Sequence, residues 1–340
     1  MPDLTQNPPS RHDVAAWVIM AIVLLAALKL HLLPALLAGL LVYELVHMLA
    51  SRLRLWRLSQ DLSKLIAVAV LSTIVVLILS AAIVGIMTVL RREAGSPEAL
   101  LKQFIDIVES ARVSLPKWAV SSLPANPDEL RVVIVGWLKD HIQDLQTFGT
   151  VFGRALVHIL IGMIVGAMVA LHEMRPRNAQ RPLARSMTER ADRLGNAFRR
   201  IVFAQVRISA LNTLLTGLYL AVVLPAFGIH LPLFKTMIAI TFVVGLLPVI
   251  GNLISNTAIV LISLGTSIYV AAGSLAFLVI IHKLEYFVNA RIVGSQIQAR
   301  AWEILVAMLT MEAAFGITGV VAAPVYYAYI KDELTSRGQI

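Results

Sequence analysis

The residues that can do chemistry in this chain lie inside long apolar runs. Glu312 lies within the apolar run of residues 304–330. An ionised carboxylate at such a position is costly unless a partner, a water-lined path or protonation compensates it. Glu312 is therefore the first candidate for proton coupling or cargo binding, and a structural hydrogen bond is the alternative.

Two polar stripes interrupt other apolar runs. Asn212, Thr213 and Thr216 form one stripe, and Asn252 and Asn256 form the other. Their amides and hydroxyls have the chemistry to line a polar passage. The competing interpretation is hydrogen bonding between helices, which is common in membrane bundles and is worth about 1 kcal/mol per bond.

The second stripe follows a break in the sequence "GLLPVIGNLISN", residues 245–256. Pro248 removes a backbone donor, and Gly251 permits unusual backbone angles or close helix contact. The surrounding apolar run, 235–265, is longer than one span needs, so it forms either one kinked helix or two short helices that fold back. Carbonyls freed at membrane depth need protein or a water-filled cavity, and transporters commonly place their sites at such breaks.

A second interruption lies in "EAAFGITGVVAAP", near the end of the chain. Gly316 and Gly319 divide this apolar run, Gly319 and Ala323 form a small-residue face, and Pro324 follows. Two interrupted segments in one half of a chain point to a permeation site. Plain helix packing is the alternative, because Gly, Ala and Pro are frequent in transmembrane helices.

The connection "HKLEYFVNARIVGSQIQARAWE" concentrates charge between two apolar runs. Arginine beside a gate attracts an anionic or polyhydroxylated cargo, or pairs with a carboxylate to latch the bundle. A solvated anchor at the membrane surface is the alternative interpretation. The candidate gate or cargo-loop residues are Glu285, Arg291, Gly294, Arg300 and Glu303.

The elements that position these residues must be membrane helices. The 340 residues are 58% hydrophobic and 14% charged, and the mean hydropathy is +0.81. No run alternates in the manner of an outer-membrane barrel, so we predict an all-α, polytopic bundle of seven or eight transmembrane helices. The apolar runs are residues 14–28, 32–50, 65–90, 155–171, 208–228, 236–265, 268–282 and 304–330.

Charge placement predicts the topology. Residues 173–207 hold nine arginines against three acidic residues, whereas residues 91–147 hold seven basic against eight acidic residues. The positive-inside rule places the first segment in the cytoplasm and the second outside. The predicted organisation is a cytoplasmic tail at 1–13, spans one to three at 14–90, an extracytoplasmic helical insert at 91–148, span four at 149–172, a basic cytoplasmic segment at 173–207, a C-terminal transmembrane core at 208–330 and a tail at 331–340.

Amphipathic patterns predict short helices outside the membrane core. Segments 98–112 and 128–146 form the insert, and segment 187–205 lies at the cytoplasmic headgroups. In the last segment Ala191 and Leu194 belong to the predicted apolar face, opposite Arg190 on the basic face. Packing or surface lining is the preferred role for all three segments.

Composition and motifs argue against enzymes and nucleic-acid binding. The chain has no cysteine, and it contains no nucleotide loop, zinc-protease pair or nucleophile elbow. Glu44 and His47 match half of a diiron motif, but a second copy is missing. The nine excess positive charges follow membrane topology. We therefore predict no enzymatic activity, no metal, no cofactor and no nucleic-acid partner.

Three motifs from about residue 205 onwards resemble those of the autoinducer-2 exporter family. "LPVIGNLISN" is similar to its proline–x–x–glycine segment, "EYFVNARIVGSQI" to its Pro-Arg-x-x-Gly loop, and "FGITGVVAAPVYYAYIKDEL" to its Phe-Gly-x-x-Gly-x-x-x-Ala-x-Pro ending. Ala290 stands where the family usually has proline, and Arg300-Ala301 where it commonly has His-Pro. Substrate preference at this loop is therefore expected to differ.

The resemblance implies a multi-spanning transporter of the bacterial inner membrane that forms a homo-oligomer among membrane lipids. It implies export of a small polar solute such as autoinducer-2, or exchange of sodium for protons, without ATP. The predicted pathway residues are Glu312, Asn212, Thr216, Pro248, Gly251, Asn252, Asn256, Gly316 and Gly319. The alternative function is a non-transporting scaffold that acts through the extracytoplasmic insert.

Overall fold

The computed structural model describes residues 10–54, 59–92, 126–172, 181–246, 250–292 and 300–339, together with residues 105, 108, 112 and 124. These residues are helical or lie in turns, and no strand occurs among them. The helices are α1 (Arg11–Lys29), α2 (Leu33–Arg54), α3 (Gln60–Arg92), α4 (Pro127–Asp140), α5 (Ile142–Leu171), α6 (Pro182–Leu218), α7 (Phe234–Gly245), α8 (Ile250–Leu264), α9 (Ile268–Ile292) and α10 (Ala301–Thr335).

Helix length and composition confirm a polytopic all-α membrane protein. Within the described ranges, five helices are long and apolar enough to cross a membrane, and three shorter apolar helices accompany them. The five are Arg11–Lys29, Leu33–Arg54, Ile142–Leu171, Pro182–Ala226 and Trp302–Thr335.

The chain divides into two compact units. The first contains residues 1–76, 150–203 and 294–340, and the second contains residues 77–149 and 204–293. The long helices α3, α5 and α6 each contribute residues to both units.

In the first unit α1, the early part of α6 and α10 share an apolar core. Met20, Leu24 and Leu28 of α1 lie in one buried cluster with Phe198 of α6 and Tyr326 of α10. The Tyr326 hydroxyl donates a hydrogen bond of 3.1 Å to the Leu24 carbonyl. A buried phenol needs such a partner because its O–H cannot reach water.

Small residues allow α2 and α5 to cross at a short distance within the first unit. A Cβ added to Gly162 would lie 2.1 Å from the carbonyl oxygen of Ala35, and one added to Gly166 would lie 2.2 Å from that of Gly39. Larger side chains would therefore force the two backbones apart. The spacing Gly-x-x-x-Gly permits close helix contact in membranes, where dispersion contacts replace the hydrophobic effect as the driving force.

α10 is a hairpin and not one straight rod. Gly316 has φ +62° and ψ −146°, a conformation open essentially to glycine alone. Lys331 Nζ lies 2.6 Å from Glu303 Oε2, whereas 28 residues of straight helix would separate the two by about 42 Å. The arms 301–315 and 317–335 therefore run back along each other, so the last apolar run consists of two short arms.

The second unit contains the other break. The apolar run 235–265 forms α7 and α8, which pack against each other and are joined at residues 246–249. With 12 and 15 residues, they span about 18 and 22 Å, less than the roughly 30 Å of hydrocarbon in a bilayer. The alternative of two short helices that fold back is the one the structure adopts.

Some sequence-based boundaries differ from the structure. The helix of span four begins at Ile142, inside the predicted insert, because the apolar pattern of α5 continues to that residue. Most of segment 98–112 lies outside the described residues. In segment 187–205 each predicted face was wrong at one position: Ala191 of the apolar face is exposed, and Arg190 of the basic face is fully buried. The cause is the set of carboxylates that Arg190 meets, described below.

Candidate transport site

A row of polar side chains follows one face of the last part of α6 and of the turn directly after it, within the second unit. Its residues recur at steps of four, three, four and three, which places them along one side of a helix. The 14 steps from its first to its last residue make this row, here named the polar track, about 21 Å long. The polar track consists of Gln205, Ser209, Asn212, Thr216 and Tyr219.

The start of the polar track binds the broken end of α7. Gln205 Nε2 donates a hydrogen bond of 2.8 Å to the Gly245 carbonyl, and Ser209 Oγ donates one of 2.7 Å to the Phe242 carbonyl. The last carbonyls of a helix have no partner within it. Side chains of α6 therefore satisfy the backbone groups that the break frees at membrane depth.

The middle of the polar track reaches α8 on the other side of the break. Asn212 is buried, and its Nδ2 donates a hydrogen bond of 3.0 Å to Oδ1 of Asn252. The two polar stripes that the sequence indicated separately are thus in contact. Asn256, one turn further along α8, is half-buried. Gly251 is required here because a Cβ would lie 2.1 Å from the Val244 carbonyl oxygen.

Hydroxyl groups continue the polar track beyond the amide pair. Thr216 is 1% exposed, and its Oγ1 has no hydrogen-bond partner among the described residues; the same holds for Oγ1 of Thr213. The Tyr219 hydroxyl lies 3.0 Å from Ser274 Oγ, which lies 2.8 Å from Ser263 Oγ. A buried hydroxyl without a partner carries a free-energy cost, so the Thr216 position offers unused hydrogen-bonding capacity.

The helix around Tyr219 departs from regular geometry. Residues Tyr219–Val223 form a π-helical turn that follows α6 directly. Pro225, which has no amide hydrogen, lies in the next turn, so the carbonyl four residues before it has no ordinary helical donor. π-helical turns occur frequently at functional sites.

The polar track is made of neutral polar groups. Its side chains are amides and hydroxyls, and the C-terminal end of α7 and the N-terminal end of α8 flank them. Helix ends carry partial charges of opposite sign, negative at the C-terminus and positive at the N-terminus. Discontinuous helices with this geometry bind polar solutes and cations in transporters.

The other predicted pathway residues lie in the first unit. Glu312 is exposed on the first arm of α10 and makes no hydrogen bond or ion pair with the part of the chain that the structure describes. Gly316 forms the apex of the hairpin. Gly319 is buried where a Cβ would lie 1.9 Å from the Met311 carbonyl oxygen. The two glycines therefore shape the hairpin, and Glu312 projects outward beside its apex.

The predicted gate loop is described only in part. Glu303 accepts hydrogen bonds from Lys331 and from the Tyr327 hydroxyl. It therefore holds the first arm of α10 against the second. The pairing of an arginine with Glu285 or Glu303 stays a prediction, because the side chains of Arg291 and Glu285 lie outside the described residues. Arg300 is exposed just before α10. Gly294 and Pro248 lie outside the described residues, as do the side chains of Glu285 and Arg291.

Sequence reasoning missed one charged group, here named the charge cluster. Its centre is Arg190, which is 0% exposed and lies 3.4 Å from Asp13, 3.2 Å from Glu189 and 3.2 Å from Glu333. The cluster contains three acidic and three basic side chains from α1, α6 and the C-terminal end of the chain. It consists of Asp13, Glu189, Arg190, Arg193, Glu333 and Arg337.

Comparison with protein families decides the classification. The model of one family, described as AI-2E family transporter, matches residues 14–336, nearly the whole chain. The chain belongs to the AI-2E transporter family. This confirms the resemblance carried by the three motifs, and it makes the protein a multi-pass membrane transporter in general terms. A comparison with curated proteins gives no match.

Within this AI-2E family protein, the signals for the missed residues were present in the sequence. Gln205, Ser209 and Tyr219 extend the Asn212 stripe at helical spacing, so a count along α6 in steps of three and four would have found them. The charge cluster had no comparable signal. Its members are up to 324 residues apart in the sequence, and only the fold brings them together.

Proposed function

We propose that this protein is an ATP-independent permease of the bacterial inner membrane, and that it moves a small polar solute such as autoinducer-2 along the polar track. The observation that carries the proposal is the hydrogen bond between Asn212 and Asn252. It joins a polar helix face to a broken helix, the combination from which transporters build their binding sites. The proposal includes the homo-oligomer that the family resemblance implies.

The chemistry of the polar track favours an uncharged, hydroxyl-rich cargo. The track side chains are neutral, and Thr216 keeps a buried hydroxyl free to bind a ligand. A polyhydroxylated solute both donates and accepts hydrogen bonds, as amides and hydroxyls do. Moving such a solute out of water costs free energy, because its hydrogen bonds to water are lost. The groups of the polar track recur at each helical turn, so they replace those hydrogen bonds step by step.

Exchange of sodium for protons is the second candidate function. Glu312 is a titratable group within an apolar helix, and the described residues give it no partner. The C-terminal end of α7 carries a partial negative charge, which favours a monovalent cation nearby. This candidate requires Glu312 to change protonation during transport, whereas solute export along the polar track does not.

Flux measurements in proteoliposomes test both candidates. Purified protein is reconstituted with a lumenal pH dye, and sodium, potassium and proton gradients are imposed; efflux of autoinducer-2 is measured in parallel. We expect Asn252→Leu to lower solute flux at least about tenfold, and Leu214→Ala, at an exposed position of the same unit, to leave it unchanged. Normal flux in a well-folded Asn252→Leu variant would reject the polar track as the pathway.

The Glu312→Gln variant separates the two candidates. If sodium-dependent proton movement occurs and is lost in this variant, ion exchange is the activity. If solute efflux persists unchanged in the variant and protons do not move, the protein is a solute permease. If the protein is a scaffold, neither the solute nor protons should move. Changes at exposed residues of the predicted insert, such as Trp137, should instead abolish the cellular function.

A further inference from the structure

A groove lies between α1 and the second arm of α10, within the first unit and apart from the polar track. It encloses about 530 Å³. Ala21, Leu25 and Leu28 of α1 form one wall, and Ile330 lies on the other. Leu25 is 53% exposed and Ile330 is 51% exposed, so the groove opens at the surface of the chain. In a membrane protein such an opening faces hydrocarbon.

One end of the groove is charged and aromatic. Trp17, Glu333 and Arg337 line it there. The Arg337 guanidinium lies 4.9 Å from the centre of the Trp17 ring and 3.4 Å from Asp13 Oδ2, and 23% of its side chain is exposed. Tryptophan is enriched where hydrocarbon meets the headgroups. This end therefore lies at the level of the lipid headgroups, and the rest lies in the acyl region.

The charged end also holds an acceptor with unused capacity. Glu333 Oε2 is buried and has no hydrogen-bond partner among the described residues. Arg193 Nε lies 3.3 Å away, but the contact lacks hydrogen-bond geometry. The Arg193 cation balances the charge of this oxygen, so what Oε2 lacks is a directed N–H. A ligand that brings an N–H group to Glu333 would add that hydrogen bond.

The length of the groove matches one leaflet. From Trp17 to Leu28, α1 rises about 16 Å, at 1.5 Å per residue. Half of a hydrocarbon core of roughly 30 Å is about 15 Å. One acyl chain that begins at the headgroup level would therefore reach the deep end of the groove near the bilayer midplane.

We propose that this groove binds an amine-bearing, zwitterionic glycerophospholipid from the leaflet that borders the charge cluster. One acyl chain lies along Ala21, Leu25 and Leu28. The lipid phosphate binds the exposed part of Arg337, and the ammonium pairs with the Glu333 carboxylate. One cation and one anion line the groove mouth, so a headgroup with both charges is complementary, whereas a purely anionic headgroup would face Glu333 without an ammonium.

Photo-cross-linking tests the site directly. The full-length protein is placed in nanodiscs that contain trace phosphatidylethanolamine with a diazirine near the end of one acyl chain, and labelled peptides are identified by mass spectrometry. We expect labels on residues 21–28 and 326–330. Ala21→Trp, which fills the groove, is expected to lower this labelling about tenfold. Ile22→Trp, at an exposed neighbour that does not line the groove, is the matched control.

Headgroup selectivity is measured with the same acyl probe on phosphatidylglycerol and phosphatidylcholine. Stronger labelling by phosphatidylethanolamine supports the proposal, because phosphatidylcholine has no N–H and phosphatidylglycerol has no cation. Glu333→Gln is expected to reduce that preference while the variant elutes as a monodisperse species, whereas Arg337→Gln should weaken labelling by all three lipids, because they share the phosphate. Equal labelling by all three lipids, equal effects of the two tryptophan variants, or no label on residues 21–28 and 326–330 would overturn it.

Discussion

Asn212 and Asn252, 40 residues apart in the sequence, are joined by a hydrogen bond of 3.0 Å. The bond links α6 to the first turn of α8, immediately after the break that follows α7. Gln205 and Ser209 hold the other side of the same break through the carbonyls of Gly245 and Phe242. A single face of α6 thus supports both ends of an interrupted helix pair.

A double-mutant cycle at this amide pair separates structure from transport. Asn212→Leu and Asn252→Leu each remove this hydrogen bond, so each should lower the free energy of unfolding by about 1–2 kcal/mol. The double variant should lose less than the sum, because the same bond can be lost only once. If both amides bind cargo, transport stays low in the double variant although its stability recovers. Recovered transport would assign the pair a purely structural role. Stability is followed by thermal unfolding in detergent.

Thr216→Val should stabilise the protein and slow transport. Valine has the shape of threonine but removes a buried hydroxyl that has no partner, so the free energy of unfolding should rise by about 1 kcal/mol. Thr241→Val is the matched control: Thr241 is equally buried, but its hydroxyl donates to the Met237 carbonyl. The control should lose about 0.6 kcal/mol and keep its flux. Unchanged transport in Thr216→Val would remove this hydroxyl from the pathway.

Gly316→Ala should destabilise the hairpin of α10. Its backbone angles lie in a region that a Cβ disfavours, at a cost of about 1–3 kcal/mol. Gly153→Ala provides the comparison, because that glycine is helical and a Cβ there meets no atom within 4 Å. The control should gain up to about 1 kcal/mol from helix propensity. Thermal unfolding of the two variants checks the difference, and equal midpoints would contradict the hairpin geometry.

Arg190→Met should be strongly destabilising. Arg190 is fully buried among three carboxylates, and its loss would leave Asp13 and Glu333 without their central cation. Removing one partner of a buried ion pair costs about 3–5 kcal/mol. Arg185→Met, at an exposed position of the same helix, should change stability little. The yield of monodisperse protein and its unfolding midpoint measure the effect; similar values for both variants would show that the cluster is dispensable.

The helices were predictable from sequence because apolar runs of about 20 residues have few other folds available to them. The polar stripes at Asn212 and Asn252 were also visible, since each interrupts an apolar run. Their contact was not predictable, because it depends on how α6 packs against a break whose geometry local spacing does not specify. The sequence likewise does not show whether residues 304–330 form a kinked rod or a hairpin. The hairpin is recognised from the contact between Glu303 and Lys331, which lie 28 residues apart.

Arg190 shows where pattern reasoning fails for a physical reason. Helical periodicity assigns a basic residue to the solvated face, and that rule holds when no carboxylates are buried nearby. Here Asp13 and Glu333 come from opposite ends of the sequence, and they provide the charges that make burial of a guanidinium tolerable. Local spacing holds no information about partners so distant in the chain.

The hairpin of α10 also bears on how the protein is made. Because Glu303 and Lys331 are neighbours, both arms end on the same side of the membrane. A helix that crosses once must carry a flanking polar segment through the bilayer during biogenesis. This hairpin requires no such translocation, because its two arms can enter the membrane together from one side. The Gly316 turn enters first, and Glu303 and Lys331 remain in the aqueous phase until both arms are inserted.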